Sequence, residues 1–104
     1  MIIVTCDEIP GKKIVKTYGF VRGSTTRAKH VGKDILASFR NLVGGEVHEY
    51  TKLLAEAREH AIDRMRDEAK KLGANAVVAT RFASSEISAG VAEILVYGTA
   101  VTIE

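Results

Sequence analysis

The sequence predicts an α+β domain: a small antiparallel sheet with one long helix and one short one. Three observations lead there. From Glu46 to Leu72 apolar residues recur at helical spacing, and glycines (Gly45, Gly73) bound the stretch at both ends. Runs rich in Val, Ile, Thr and aromatics lie on either side of it. Ser88-Ala89-Gly90 joins the last two runs with a glycine where a hairpin needs one.

Taken in order, Ile2–Thr5 is a short apolar run, and Cys6-Asp7-Glu8-Ile9-Pro10-Gly11 behind it is a turn signal. Lys13 to Thr26 reads as extended but is interrupted by Gly19 and Gly23, which predicts bulges or a close backbone approach. Ile35, Leu36, Phe39, Leu42 and Val43 give a short helix over Lys33–Leu42, stopped by Gly44. The long helix follows, its stripe made of Tyr50, Leu53, Leu54, Ala57, Ala61, Met65, Ala69 and Leu72. Ala57 and Ala61 are small enough for a sheet or another helix to come close. Lys70 and Lys71 suit the negative end of the helix dipole. Strands over Asn75–Ser88 and Val91–Ile103 complete the order. At 1.5 Å per residue the helix spans roughly 40 Å, whereas a compact domain of this length has a radius of gyration of about 13 Å. The helix must overhang its own domain or be covered by another subunit.

The 104 residues form one domain over 1–104, with 46% hydrophobic and 27% charged residues, an ordinary soluble composition. No stretch approaches the ~20 apolar residues of a membrane span, and the start lacks the basic region of a secretory signal. Cys6, the single cysteine, excludes an internal disulfide and fits a cytoplasmic location. Residues 1–45 hold eight Lys/Arg against three acids, and residues 46–104 seven against ten. No Lys/Arg run or interleaved aromatic stripe marks a nucleic-acid surface. The two halves are read as complementing each other within or between subunits, and weak nucleic-acid binding through residues 12–40 is the least favoured reading.

Most charges fall in turns or on helix surfaces. Arg22, Arg81 and Glu93 instead sit mid-strand among apolar or small residues. If the last hairpin turns about Ala89, residues whose numbers sum to 178 face each other. Ser85 then opposes Glu93 and Arg81 opposes Tyr97, all on one face, and Arg22 joins them if its strand is adjacent. A solvated outer face, an interface network with an arginine–carboxylate pair, and a site gripping an anionic substrate all remain open. The group holds no nucleophile beside a base, so the enzymatic reading lacks its central part.

Metal-ligating residue types are Cys6, His30, His48 and His60, with Glu56 and Asp63 one turn or less from His60. None forms C-x-x-C or H-x-x-x-H. Cys6, His48, Glu56 and His60 are the candidates for a metal ion, and no cofactor is assigned. Symmetry in a ring could still gather one ligand per subunit. Gly44-Gly45 ahead of the long helix suggests an anion site but lacks a Walker lysine.

The segments GFVRGSTTRAKHVGKDI, RNLVGGEVHEYTKLLAEAREHAIDRM, EAKKLGANAVVATRF and AEILVYGTAV resemble the YbjQ-like family, small bacterial and archaeal proteins carrying a heavy-metal-binding label. The resemblance covers nearly the whole chain. It implies a dodecin-like β-α-β-β subunit that assembles as a ring, typically a pentamer, with extra short strands aiding assembly. It implies no established activity. The label transfers poorly, since the M-x-C-x-x-C of heavy-metal-associated domains is absent. Within the family's motifs fall Arg22, Gly23, Arg27, Arg40, Gly44, Gly45, Glu46, Tyr50, Arg58, Arg81, Glu93, Tyr97 and Gly98. His30 and Asn75 stand where the family would have Asn and Asp. The expectation is a self-associating protein that binds a metal ion or small ligand or serves as an assembly module. The alternative is an enzyme using Arg22, Arg81, Glu93 and Tyr97.

Overall fold

The computed structural model describes residues 1–28, 47–88 and 91–104. The short helix expected over Lys33–Leu42, with Gly44 and Gly45, lies outside the described residues. Four strands and one helix are described: β1 (Ile2–Ile3), β2 (Ile14–Ala28), α1 (Val47–Leu72), β3 (Ala76–Ser88) and β4 (Val91–Ile103). They form one sheet in the order β1-β3-β4-β2 with α1 on one face.

β4 is the strand the sheet is built around. It pairs antiparallel with β3 from Ser88↔Val91 to Ala76↔Val101, and antiparallel with β2 from Ala28↔Val91 to Ile14↔Ile103. The sheet is mixed rather than wholly antiparallel, because β1 runs parallel to β3 (Ile2↔Ala76, Ile3↔Val77). The chain starts beside β3 at one edge yet must enter β2 at the other. The segment after β1 therefore crosses the face opposite the helix. There Val4, Ile9 and Ile14 pack on Ala76, Val78, Val101 and Ile103 as a second, smaller core.

The main core lies under the helix. Ala57, Ala61, Met65 and Ala69, spaced four apart, meet Val21, Val77, Ile94, Val96 and Ala100 with no more than a trace of solvent exposure. The two glycines of β2 divide the expected roles. Gly19 sits at a register shift with φ 109°. Gly23 lets the helix backbone descend onto the strand: an added Cβ would lie 2.1 Å from the Ala61 carbonyl oxygen and 2.5 Å from the Met65 nitrogen. Arg64 closes the same contact from the side by donating to the Ser24 carbonyl. Leu72, expected in the stripe, is instead 45% exposed. The helix ends there at Gly73 (φ 93°), and the buried positions pass to Ala69 and Ala74.

Asn75 welds the turn after the helix to the last strand. Its side-chain amide donates to the Ile103 carbonyl (3.0 Å) and its carbonyl oxygen accepts from the Ile103 N–H (2.8 Å). The pair replaces ladder bonds where β3 has not yet begun. Lys13 and Glu104 exchange two backbone bonds at 2.9 Å, so β2 and β4 stay joined beyond the regular ladder. The molecule is long: its radius of gyration is 17.0 Å and its extents are 52 × 22 × 17 Å. Among the described residues no helix is long and apolar enough to cross a membrane.

Because backbone atoms, not flexible side-chain tips, face Gly23, substitution there cannot be absorbed locally. Gly23→Ala is expected to cost about 1–3 kcal/mol or more. Urea denaturation would read this as a lower midpoint, and an unchanged midpoint would refute the direct helix–strand contact.

Candidate functional site

The face of the sheet away from α1 has two ends. One is covered by the segment between β1 and β2. On the other, the strand ladders set side chains in rows. Arg22 is the partner of Tyr97 on β2 and Arg81 its partner on β3. The row Arg22–Tyr97–Arg81 thus puts two guanidinium groups about 10 Å apart at the backbone on either side of one aromatic ring. A second row is Thr26–Glu93–Ser85. Pairing by numbers that sum to 178 holds for both β3–β4 pairs, and β2 is the neighbour that brings in Arg22.

The arginine–carboxylate pair is not made. Glu93 lies four residues along β4 from Tyr97, about 13 Å away. Among the described residues the ion pair is Arg66–Asp63 on the surface of α1, at 2.7 Å. Arg81 is exposed and donates instead to the Thr5 carbonyl (2.7 Å) and the Thr80 carbonyl (2.8 Å). It is a clasp on the first segment of the chain. The clasp sits at a β-bulge, where Ala79 and Thr80 together oppose Gly98. Ala79 holds φ 53°, a left-handed conformation costing roughly 1–3 kcal/mol for a residue with a Cβ. The first segment supplies compensation: the Ala79 N–H donates to the Cys6 carbonyl (2.9 Å) and the Thr80 N–H to the Val4 carbonyl (3.1 Å).

Sequence reasoning passed over Phe20. It lies two residues before Arg22, hence on the same face, and is 61% exposed. Its ring meets that of Tyr97 at 6.0 Å and 34°. The alternation Phe20, Arg22, Ser24, Thr26 was the available signal. Leu95, half-buried, lies between the two rows. Of the five strand residues singled out, Ser85 alone also borders a cleft that opens on the helix side. Two buried hydroxyls, Thr25 and Thr80, have no hydrogen-bond partner.

The comparisons with known proteins bear on the whole chain. The YbjQ family model, described as "Putative heavy-metal-binding", matches residues 1–104. This chain belongs to the YbjQ family. Among similar relatives, the UPF0145 protein of Methanosarcina acetivorans is 60% identical over 103 residues, covering 99% of this chain and 97% of that one. That of Clostridioides difficile is 59% identical over all of this chain and 93% of its own length. That of Pyrococcus horikoshii is 58% identical over all of this chain and 89% of its own. Among solved structures, a protein of unknown function from Pediococcus pentosaceus, of the DUF74 family, superposes with a TM-score of 0.67 at 14% identity, over 100% of this chain and 98% of that one. That likeness supports the fold alone.

The YbjQ description raises a heavy metal, and the side chains can be tested against it. Among the described residues no three of His, Cys, Asp and Glu converge. Cys6 is a free, exposed thiol whose carbonyl, not its sulfur, makes the structural contact. Glu56 and His60 lie one turn apart on the exposed side of α1, beside Lys52, Arg58 and Glu59. The side chain of His48 and all of His30 lie outside the described residues. The described donors of this YbjQ chain do not fit a heavy-metal centre.

Arg81→Ala should loosen the first segment without disturbing the main core. The expected loss is about 1 kcal/mol, read as faster amide hydrogen exchange at Ala79 and Thr80 with Val96 unchanged. Equal protection at Ala79 and Thr80 in both proteins would refute the clasp.

Proposed function

We propose that the chain is the subunit of a cytoplasmic homo-oligomeric ring, dodecin-like and five-membered, acting as an assembly module. Its contact surface is the bare half of the outer sheet face. The observation that carries this reading is the exposed Phe20 ring lying against Tyr97, with Leu95 beside them and Arg22 and Arg81 flanking. Aromatic residues and arginine around an apolar centre are the composition of interface hot spots. Among the described residues, the other end of the same face is covered from within the chain and this end is not. A 52 Å length with a 26-residue helix supports the same reading, as do the unlike charges of the two halves of the chain. The free thiol of Cys6 fits the reducing cytoplasm. A ring would also repeat single ligands such as Cys6 about an axis, the way a metal or small ligand could be held by subunits that cannot hold it singly.

The enzymatic alternative draws less support. Arg22, Arg81 and Tyr97 stand in a row on an open sheet, with Glu93 a row apart, rather than around a concavity.

Native mass spectrometry is expected to give a mass near five times 11.3 kDa; a monomer at micromolar concentration would overturn the reading. Phe20→Asp is expected to yield smaller species with helical circular dichroism retained. If that variant keeps the wild-type mass, the outer sheet face is not the interface.

A further inference from the structure

The helix lies across β2 and β4 and scarcely reaches β3. Its small residues, set over Gly23, draw it to the β2 side of the sheet. Among the described residues, the helix leaves the helix-side residues of β3 beyond the bulge exposed. Phe82 and Glu86 are the partners of Val96 and Ala92, so with Ser84 they point to the helix side, and all three are exposed. Phe82 is 49% exposed, an unusual position for a phenylalanine on the core side of a sheet. These residues, with Leu54 and Arg58 on the helix wall and Ile94 on the floor, border a cleft of about 390 Å3. That volume falls in the range of small-molecule sites, about 300–1,000 Å3.

The chemistry of the lining narrows the ligand. Leu54, Phe82, Ala92 and Ile94 give it an apolar floor. Arg58 comes from the helix and Glu86 from the sheet, on separate elements bordering one space, and they form no ion pair with each other. A singly charged ligand would meet one of them and face the other unmatched. A ligand carrying both charges meets both, and guanidinium matches a carboxylate in two parallel bonds.

We propose that this cleft binds a small zwitterion with an apolar side chain, a free α-amino acid of the leucine or phenylalanine kind. Its carboxylate lies on Arg58, its ammonium on Glu86 and its side chain on Phe82 and Ile94. Ser84 stands at the rim as a further hydrogen-bonding group. The site is on the opposite face from the proposed ring contact and does not rest on it.

The test titrates the full chain with three probes, L-phenylalanine, 3-phenylpropionate and 2-phenylethylamine, followed by calorimetry and amide NMR shifts. L-phenylalanine is expected to give saturable shifts at Phe82–Glu86 and Ala92–Ile94. Each one-charge probe should bind roughly tenfold more weakly or worse, and Arg58→Ala and Glu86→Gln should each lose a similar factor for L-phenylalanine. Should Arg58→Ala fail to fold, Arg58→Lys serves, since it keeps the charge and loses the two-bond match. Absence of saturable shifts in the cleft at millimolar probe, equal binding of a one-charge probe, or unchanged affinity in both variants would overturn the proposal. Phe20→Asp alters the other face, so its failure and this one are read separately.

Discussion

The direct contact between the backbone of α1 and the backbone of β2 at Gly23 governs the rest of the structure. No side chain separates the two elements there: Ala57 and Ala61 offer only methyl groups, and Gly23 offers none. Close approach gives many weak dispersion contacts in place of a few large apolar side chains. It also explains why, among the described residues, no aromatic residue is fully buried in the core and the bulkiest fully enclosed side chain is Met65. A helix held this tightly at one edge cannot also lie over the other. The open stretch of β3 and the exposure of Phe82 are therefore results of the same contact.

The other face is organised by the crossing of the first segment. That crossing makes the sheet mixed, closes a second core and supplies carbonyls to the bulge at Ala79 and Thr80. The bulge in turn directs Arg81 back toward Thr5. Strain in one residue and satisfaction of three donors are thus parts of a single local arrangement. What remains of the face, from Phe20 to Glu93, carries aromatic rings and guanidinium groups, the chemistry of an interface.

Much of this was legible in the sequence, because it follows from local periodicity. The long helix, the strands on either side of it and the β3–β4 register depend on spacing and turn residues, and a single hairpin fixes which residues face each other. Gly19 and Gly23 were readable as irregularities, though not as to which was the bulge and which the close approach. The parallel pairing of β1 was not readable, since Ile2 and Ile3 are apolar in either direction. Nor was the left-handed turn at Ala79, where alanine gives none of the warning a glycine would. Within one chain the arginine–carboxylate pair is not formed, for a metric reason: a shared face does not bring together residues two pleats apart. Leu72 shows that a periodic stripe continues on paper past the point where the chain turns away.

The position of β4 carries one more consequence. It is the last of the four strands in the chain and yet lies between β2 and β3, which do not touch each other. During synthesis, β2 leaves the ribosome with its ladder partner still unmade, so the sheet cannot close from the N-terminal end in stages. Pairings such as Ile14 with Ile103 span most of the polypeptide, and such distant contacts slow folding. The nascent chain accordingly lacks the shared partner of β2 and β3 until β4 is made.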